Sequence, residues 1–80
     1  MKKIESILIA NRGEIASRII RTCNKMGIKS IAVYSEADQN SPYVNESDSA
    51  VFIGQSSPSD SYLDQDKIID AAKKTEADAI

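Results

Sequence analysis

Residues 7–20 read Ile-Leu-Ile-Ala-Asn-Arg-Gly-Glu-Ile-Ala-Ser-Arg-Ile-Ile, and inside this stretch an unbroken apolar run gives way to the spacing of a helix. Ile7, Leu8, Ile9 and Ala10 are apolar at every position, as a strand covered on both faces of a parallel sheet requires. Asn11 fits a helix N-cap, and Glu14, three residues on, stands in the capping-box position with a charge suited to the positive end of the helix. The helix is therefore expected to begin near Arg12. Its inward face reads Ile15, Ile19, Ile20 and Cys23, and Gly27 after Met26 is placed for a left-handed C-cap. A buried strand that feeds a helix through so short a turn is the opening of an α/β domain, whose ligands gather at the carboxyl ends of the strands.

Outward from this stretch the alternation continues. Ile31, Ala32 and Val33 form the core of a second strand over residues 30–34, so strand, helix and strand fit in the first 35 residues and imply a right-handed crossover. Residues 35–40 are polar and turn-like; Ser41 and Pro42 then read as an N-cap and a first-turn proline opening one or two helical turns. Ala50-Val51-Phe52-Ile53, closed by Gly54, reads as a third buried strand, followed by a serine-rich loop over residues 55–61 broken at Pro58. Asp64 or Ser61 can cap the next helix, which is expected to turn Ile68, Ile69 and Ala72 inward and to carry Lys73 and Lys74 at its negative end. Residues 77–80 begin a fourth strand. The expected architecture is one Rossmann-like, three-layer α/β domain spanning residues 1–80, with a parallel sheet ordered 3-2-1-4 and helices on both faces. The fourth strand has no following helix, which favours a piece of a longer protein over a short edge strand.

Composition narrows the function. With 80 residues the chain forms at most one small domain without room for a large enclosed site, and 41% apolar with 28% charged residues suits a folded chain. A net charge of −2 gives no general attraction to nucleic acid or anionic lipid. The single Cys23 has no intrachain disulfide partner and there is no histidine, which removes imidazole chemistry and the common zinc sites and fits a reducing, cytoplasmic setting. The apolar run after Lys2 and Lys3 is too short for a signal peptide or a membrane span.

Chemistry-bearing candidates are few. Asn11, Arg12, Gly13 and Glu14 lie at a helix amino end, where free N–H groups and the arginine could meet an anion. The turn has one glycine and matches neither the dinucleotide nor the P-loop pattern, so it reads chiefly as a joint in which Asn11 and Glu14 cap and Gly13 allows close packing. Glu36 and Asp38 follow the second strand, where a Rossmann domain places its ribose-binding acid; without the glycine pattern they read as a solvated turn. Arg18, Arg21 and Lys25 follow Glu14 at helical spacing as a cationic stripe, with Glu14 and Arg18 as a favourable pair; the stripe reads as a solvated face or a protein contact. Cys23 reads as a small core residue, and Asp60, Asp64, Asp66 and Asp70 as caps and a wet helix face. Tyr34, Tyr43 and Tyr62 show no stacking periodicity. No catalytic, cofactor-binding or metal-ligating set emerges.

The segments Ile-Leu-Ile-Ala-Asn-Arg-Gly-Glu-Ile-Ala-x-Arg-Ile-Ile-Arg-Thr-Cys, in which Ser17 at x departs from the commoner members, and Gly-Ile-Lys-Ser-Ile-Ala-Val-Tyr-Ser-Glu-Ala-Asp, with Ala50–Gly54, Ser61-Tyr62-Leu63, Ile68–Ala72 and Ala77–Ile80, resemble the amino-terminal domain of biotin carboxylase. The resemblance covers essentially the whole chain. It implies a Rossmann-like domain preceding an ATP-grasp fold, within the ATP-dependent ligase component of acetyl-CoA carboxylase (fatty acid biosynthesis), acyl-CoA carboxylase or pyruvate carboxylase. Such a parent uses ATP, Mg2+ and bicarbonate to carboxylate biotin on a carrier protein, and works with a carboxyltransferase. The resemblance puts the nucleotide, metal and bicarbonate residues downstream of Ile80, beginning with a Pro-Gly-Tyr-Gly segment, so no cofactor is expected to bind these 80 residues alone. It also implies a homodimer contact through the first helix, making Arg18 and Arg21 interface candidates; Lys25 stands where the family often has an acid. A non-enzymatic interaction or dimerisation module working through the same cationic face is the alternative.

Overall fold

A computed structural model describes residues 3–55 and 62–80. The order is β1 (Ser6–Ile9), α1 (Gly13–Met26), β2 (Lys29–Ser35), a 3₁₀ turn (Glu36–Asp38), α2 (Pro42–Glu46), β3 (Ser49–Gly54) and α3 (Gln65–Thr75). All strand pairs are parallel: Ile7 pairs with Ser30 and Leu8 with Ile31, while Ala32 pairs with Ala50 and Val33 with Val51. On the free side of β1 a parallel bridge joins Ile7 to Ala79, supported by Leu8 N–H donating to Ala79 O at 2.8 Å. The expected fourth strand occupies its expected place in the 3-2-1-4 order but has shrunk to that bridge. Asp78 holds it there, its carboxylate accepting from the backbone N–H groups of Glu5 at 2.8 Å and Ser6 at 3.2 Å.

Alternation along the strands builds two cores. Leu8, Ile31, Val33 and Ile53 face α3 and meet Ile68 and Ala71; Ile9 and Ala32 face the opposite side and meet Ala16, Ile20 and Tyr43 from α1 and α2. Cys23 is buried on the same helix, as expected of a small core residue, and burial pushes its thiol pKa up. No helix among the described residues is long and apolar enough to cross a membrane.

Several local expectations need correction. Arg12, not Asn11, occupies the N-cap position; it is extended and makes no side-chain cap bond, so no capping box forms. The reason is Gly13, whose φ of +58° delays the helix by a residue. A Cβ there would meet nothing within 4 Å, so the glycine supplies a left-handed backbone rather than close packing. Gly27, with φ +70°, is the left-handed C-cap as expected. Ile15 is not in the core but 59% exposed, because it points along the flank of α1 on the free side of β1; Ala16 and Ser17 are buried instead. Ser17 Oγ donates to Glu46 Oε1 at 2.8 Å, tying α1 to α2.

β3 is not buried on both faces. Val51 and Ile53 pack towards α3, but Ala50 and Phe52 lie on the other face of an edge strand, and Phe52 is 53% exposed beside the Tyr34 ring. In α3, Ala71 takes the inner place expected of Ile69, which is 45% exposed, while Ala72 packs only at the core margin. Asp64 caps this helix by accepting from Lys67 N–H, whereas Ser61 and the loop over 56–61 lie outside the described residues. Ser41 and Pro42 open α2 as expected, although Ser41 makes no side-chain cap bond. Glu76 closes α3 in the left-handed region at φ +56°, a place usually given to glycine.

Candidate functional site

The loops after β1 and β2 lie side by side because those strands are paired and parallel. Arg12 stands three residues beyond Ile9, and Asp38 three beyond Ser35, so the two charges emerge at the same end of the sheet. Arg12 Nε donates to Asp38 Oδ2 at 2.6 Å and its Nη2 to Oδ1 at 3.1 Å, a two-point pair. The Tyr62 hydroxyl donates to the same Asp38 Oδ2 at 2.5 Å and accepts from Ser35 N–H at 2.9 Å. Arg12 also lies over the Tyr62 ring, 4.9 Å from its centroid. The Tyr43 hydroxyl completes the set, 2.8 Å from that of Tyr62 and 3.1 Å from Val33 O. Because an ionised carboxylate only accepts, the Tyr62 proton goes to Asp38; Tyr43 then shares its own proton between Val33 O and Tyr62 Oη.

These contacts set the charges. The hydrogen bonds from Arg12 hold the Asp38 carboxyl below its usual value, against a smaller opposing effect of burial, and Arg12 is raised in return. Burial, with the neighbouring Tyr62 hydroxyl, raises the Tyr43 phenol far beyond the physiological range. Ser35 Oγ is fully buried and makes no hydrogen bond of normal geometry among the described residues, yet lies close enough to Asp38 to favour its ionised form. The cluster joins the turns after β1 and β2 to α2 and to the segment before α3. The charge of Arg12 is already met by Asp38.

The sequence placed Arg12 and Asp38 in separate, unconnected roles and assigned none to Tyr62, Tyr43 or Ser35. One signal was present: opposite charges three residues beyond adjacent parallel strands. Nothing in the pattern marks the tyrosines. Asn11 and Glu14 stay outside the cluster; both are exposed, and Glu14 accepts from Arg21 Nη2 at 3.0 Å rather than pairing with Arg18. The stripe also divides. Arg21 borders a groove towards α2 with Glu14, Ser17 and Glu46, whereas Arg18 borders another with Ile15 and Ile19. Lys25 is exposed in the last turn of α1. Among the described residues no acidic, histidine or cysteine group could hold a metal ion.

Comparison with known proteins gives a consistent picture. The family profile described as "Biotin carboxylase, N-terminal domain" matches residues 3–80. Biotin carboxylase 2 of Bacillus subtilis is 58% identical over 74 residues, which are 92% of this chain and 17% of that protein. The human mitochondrial propionyl-CoA carboxylase alpha chain is 52% identical over 79 residues, 99% of this chain and 11% of its own. The crystal structure of a Campylobacter jejuni biotin carboxylase in complex with β,γ-ATP superposes with a TM-score of 0.93 and 54% identity, covering 98% of this chain and 18% of that one. The chain thus spans less than a fifth of the length of these relatives.

Proposed function

Because this chain belongs to the biotin carboxylase N-terminal domain family, we propose that it serves as the amino-terminal domain of the biotin carboxylase component of a biotin-dependent carboxylase. In this reading the whole enzyme uses ATP, Mg2+ and bicarbonate to carboxylate biotin on a carrier protein, and a carboxyltransferase passes the carboxyl group to its acceptor. The observation that carries the reading is the match over residues 3–80. The role of these residues is architectural: the Arg12–Asp38–Tyr62 cluster locks the ends of β1 and β2 into one rigid surface on which the ATP-grasp part of the parent is built. The isolated chain is inactive and binds no nucleotide, a reading supported by the neutralised Arg12 and the lack of a nucleophile or base in the cluster. Its single buried Cys23 suits a reducing compartment, here the cytoplasm. A free-standing module acting through the cationic helix face has less support, since Arg21 is engaged by Glu14 and the stripe divides between two grooves.

The test is a replacement. Residues 1–80 are substituted for the equivalent region of the Bacillus subtilis biotin carboxylase 2, and bicarbonate-dependent ATP hydrolysis with free biotin is measured. The expected result is a folded, active chimera, together with no turnover and no calorimetric heat for ATP–Mg2+ on the 80-residue chain. A folded chimera without activity would refute the assignment, and turnover by the short chain would refute its passive role.

A further inference from the structure

The last strand position is held by side chains more than by a ladder. After α3 the backbone turns at Glu76 in the left-handed region, Ala77 N–H donates to Ala72 O at 3.0 Å, and Ala79 then forms its parallel bridge with Ile7. Beside that bridge Ser6 and Asp78 clasp each other. The Asp78 carboxylate accepts from the Glu5 and Ser6 N–H groups, while Asp78 N–H donates to Ser6 O and to Ser6 Oγ, each at 3.1 Å. Both N–H groups reach the same oxygen, Oδ2, which serves the start of β1 as a backbone carbonyl of a longer neighbouring strand would.

A pairing reduced to one bridge specifies its register weakly, and the register decides where the chain goes next. Each strand residue advances about 3.3 Å, so with Ala79 opposite Ile7 the third residue beyond Ala79 stands level with Ala10, at the mouth of the turn to Arg12. A slip of two residues, the smallest that keeps side chains on their own faces, would displace that point by about 6–7 Å. The place matters because the strand order reverses here. The helix α1 leaves β1 across the Ile9–Ala32 face towards β2, whereas α3 leads into the Ala79 position across the Leu8–Val33 face. Open α/β sheets bind their ligands in the crevice at the carboxyl ends of the strands, where the order reverses.

We propose that Asp78 is a positioning residue of the parent enzyme: clasped to Ser6, it sets the register in which the segment after Ile80 passes the turn of residues 10–13, and so the place at which that segment meets the substrates. This rests on the functional reading above, in which these residues belong to a chain several times longer. Asp78 acts through the strand, since its carboxylate lies at the amino end of β1, away from the Arg12 cluster at the carboxyl end.

Two measurements test it. In the 80-residue chain, Asp78→Ala is expected to speed hydrogen exchange of the Leu8 amide, which donates to Ala79 O, by about tenfold or more relative to the amides of β2. An equal change in β2, or none at Leu8, overturns the proposal. In the active chimera the same variant is expected to raise KM for at least one of ATP, bicarbonate and free biotin by about threefold or more, whereas Asp78→Asn, which keeps an oxygen for the two N–H groups, stays within about twofold of wild type. A smaller fraction of folded enzyme lowers kcat and leaves KM unchanged, so a fall in kcat alone, or unaltered kinetics, overturns the positioning role. An inactive wild-type chimera overturns the functional reading instead; the exchange measurement, which does not depend on that reading, still decides whether Asp78 sets the register.

Discussion

Replacing Asp38 probes the cluster that joins β1 to β2 most directly. Its side chain is 13% exposed and accepts from Arg12 twice and from Tyr62 once. Arg12 is half-exposed, so its ion pair contributes only about 0.2–1 kcal/mol. The Tyr62 hydroxyl loses an ionised acceptor, and a hydrogen bond of that kind is worth about 1.5–3 kcal/mol. Asp38→Ala should therefore destabilise the chain by ~2–3 kcal/mol, which for a domain of this size lowers the melting temperature by roughly 10–20 °C. Asp38→Asn keeps the shape and one acceptor oxygen and should cost about half as much. The pH dependence has a definite sign. Because the folded-state pKa lies below the usual value of 3.8, the carboxylate's contribution is complete above that value and is lost as pH falls through the folded pKa. The gap between wild type and Asp38→Asn should accordingly be constant from neutrality to about pH 5 and narrow below about pH 4. Thermal unfolding by far-UV circular dichroism, repeated across pH, measures both. An Asp38→Ala variant that melts within about 2 °C of wild type, or a gap independent of pH, would refute the latch.

Tyr62→Phe removes the donor to Asp38 and the acceptor of Ser35 N–H and should cost ~1–3 kcal/mol in urea unfolding; a loss under ~0.5 kcal/mol would mean water replaces the hydroxyl fully. Ile20→Ala, at a fully buried position, should cost about 2–5 kcal/mol, while Ile69→Ala should stay within about 1 kcal/mol; equal losses would restore Ile69 to the core. Gly13→Ala meets no clash, so its cost should be only the ~1–2 kcal/mol of a left-handed backbone, and Glu76→Gly should be stabilising by about 0.5–1 kcal/mol for the same reason; the opposite sign at Glu76 would show that its φ carries no strain. Cys23 should resist a thiol reagent in the native chain and react at once in denaturant; fast native labelling would contradict its burial.

Residues with local signatures were legible in advance. Apolar runs placed β1 and β2, Gly27 and Asp64 marked helix ends, and the succession of elements implied the strand order into which Ala79 fits. Ile15 and Ile69 were misread because helical spacing identifies an apolar arc without saying where the sheet beneath it ends: on the free side of β1 the arc of α1 overhangs, and Ile15 stays exposed. Phe52 failed similarly, since an apolar run cannot reveal whether its strand lies at the edge.

What the sequence determined by itself was therefore the class, the order of elements and the family, because these depend on periodicity, capping chemistry and a signature stretch that are properties of neighbouring residues. Tertiary structure alone decided that Arg12 is spent on Asp38, that Tyr62 and Tyr43 belong to the same cluster, and that one flank of α1 is left bare. Arg12 and Asp38 are 26 positions apart in the chain and meet because parallel pairing brings the carboxyl ends of β1 and β2 together, a relation with no local sequence signature.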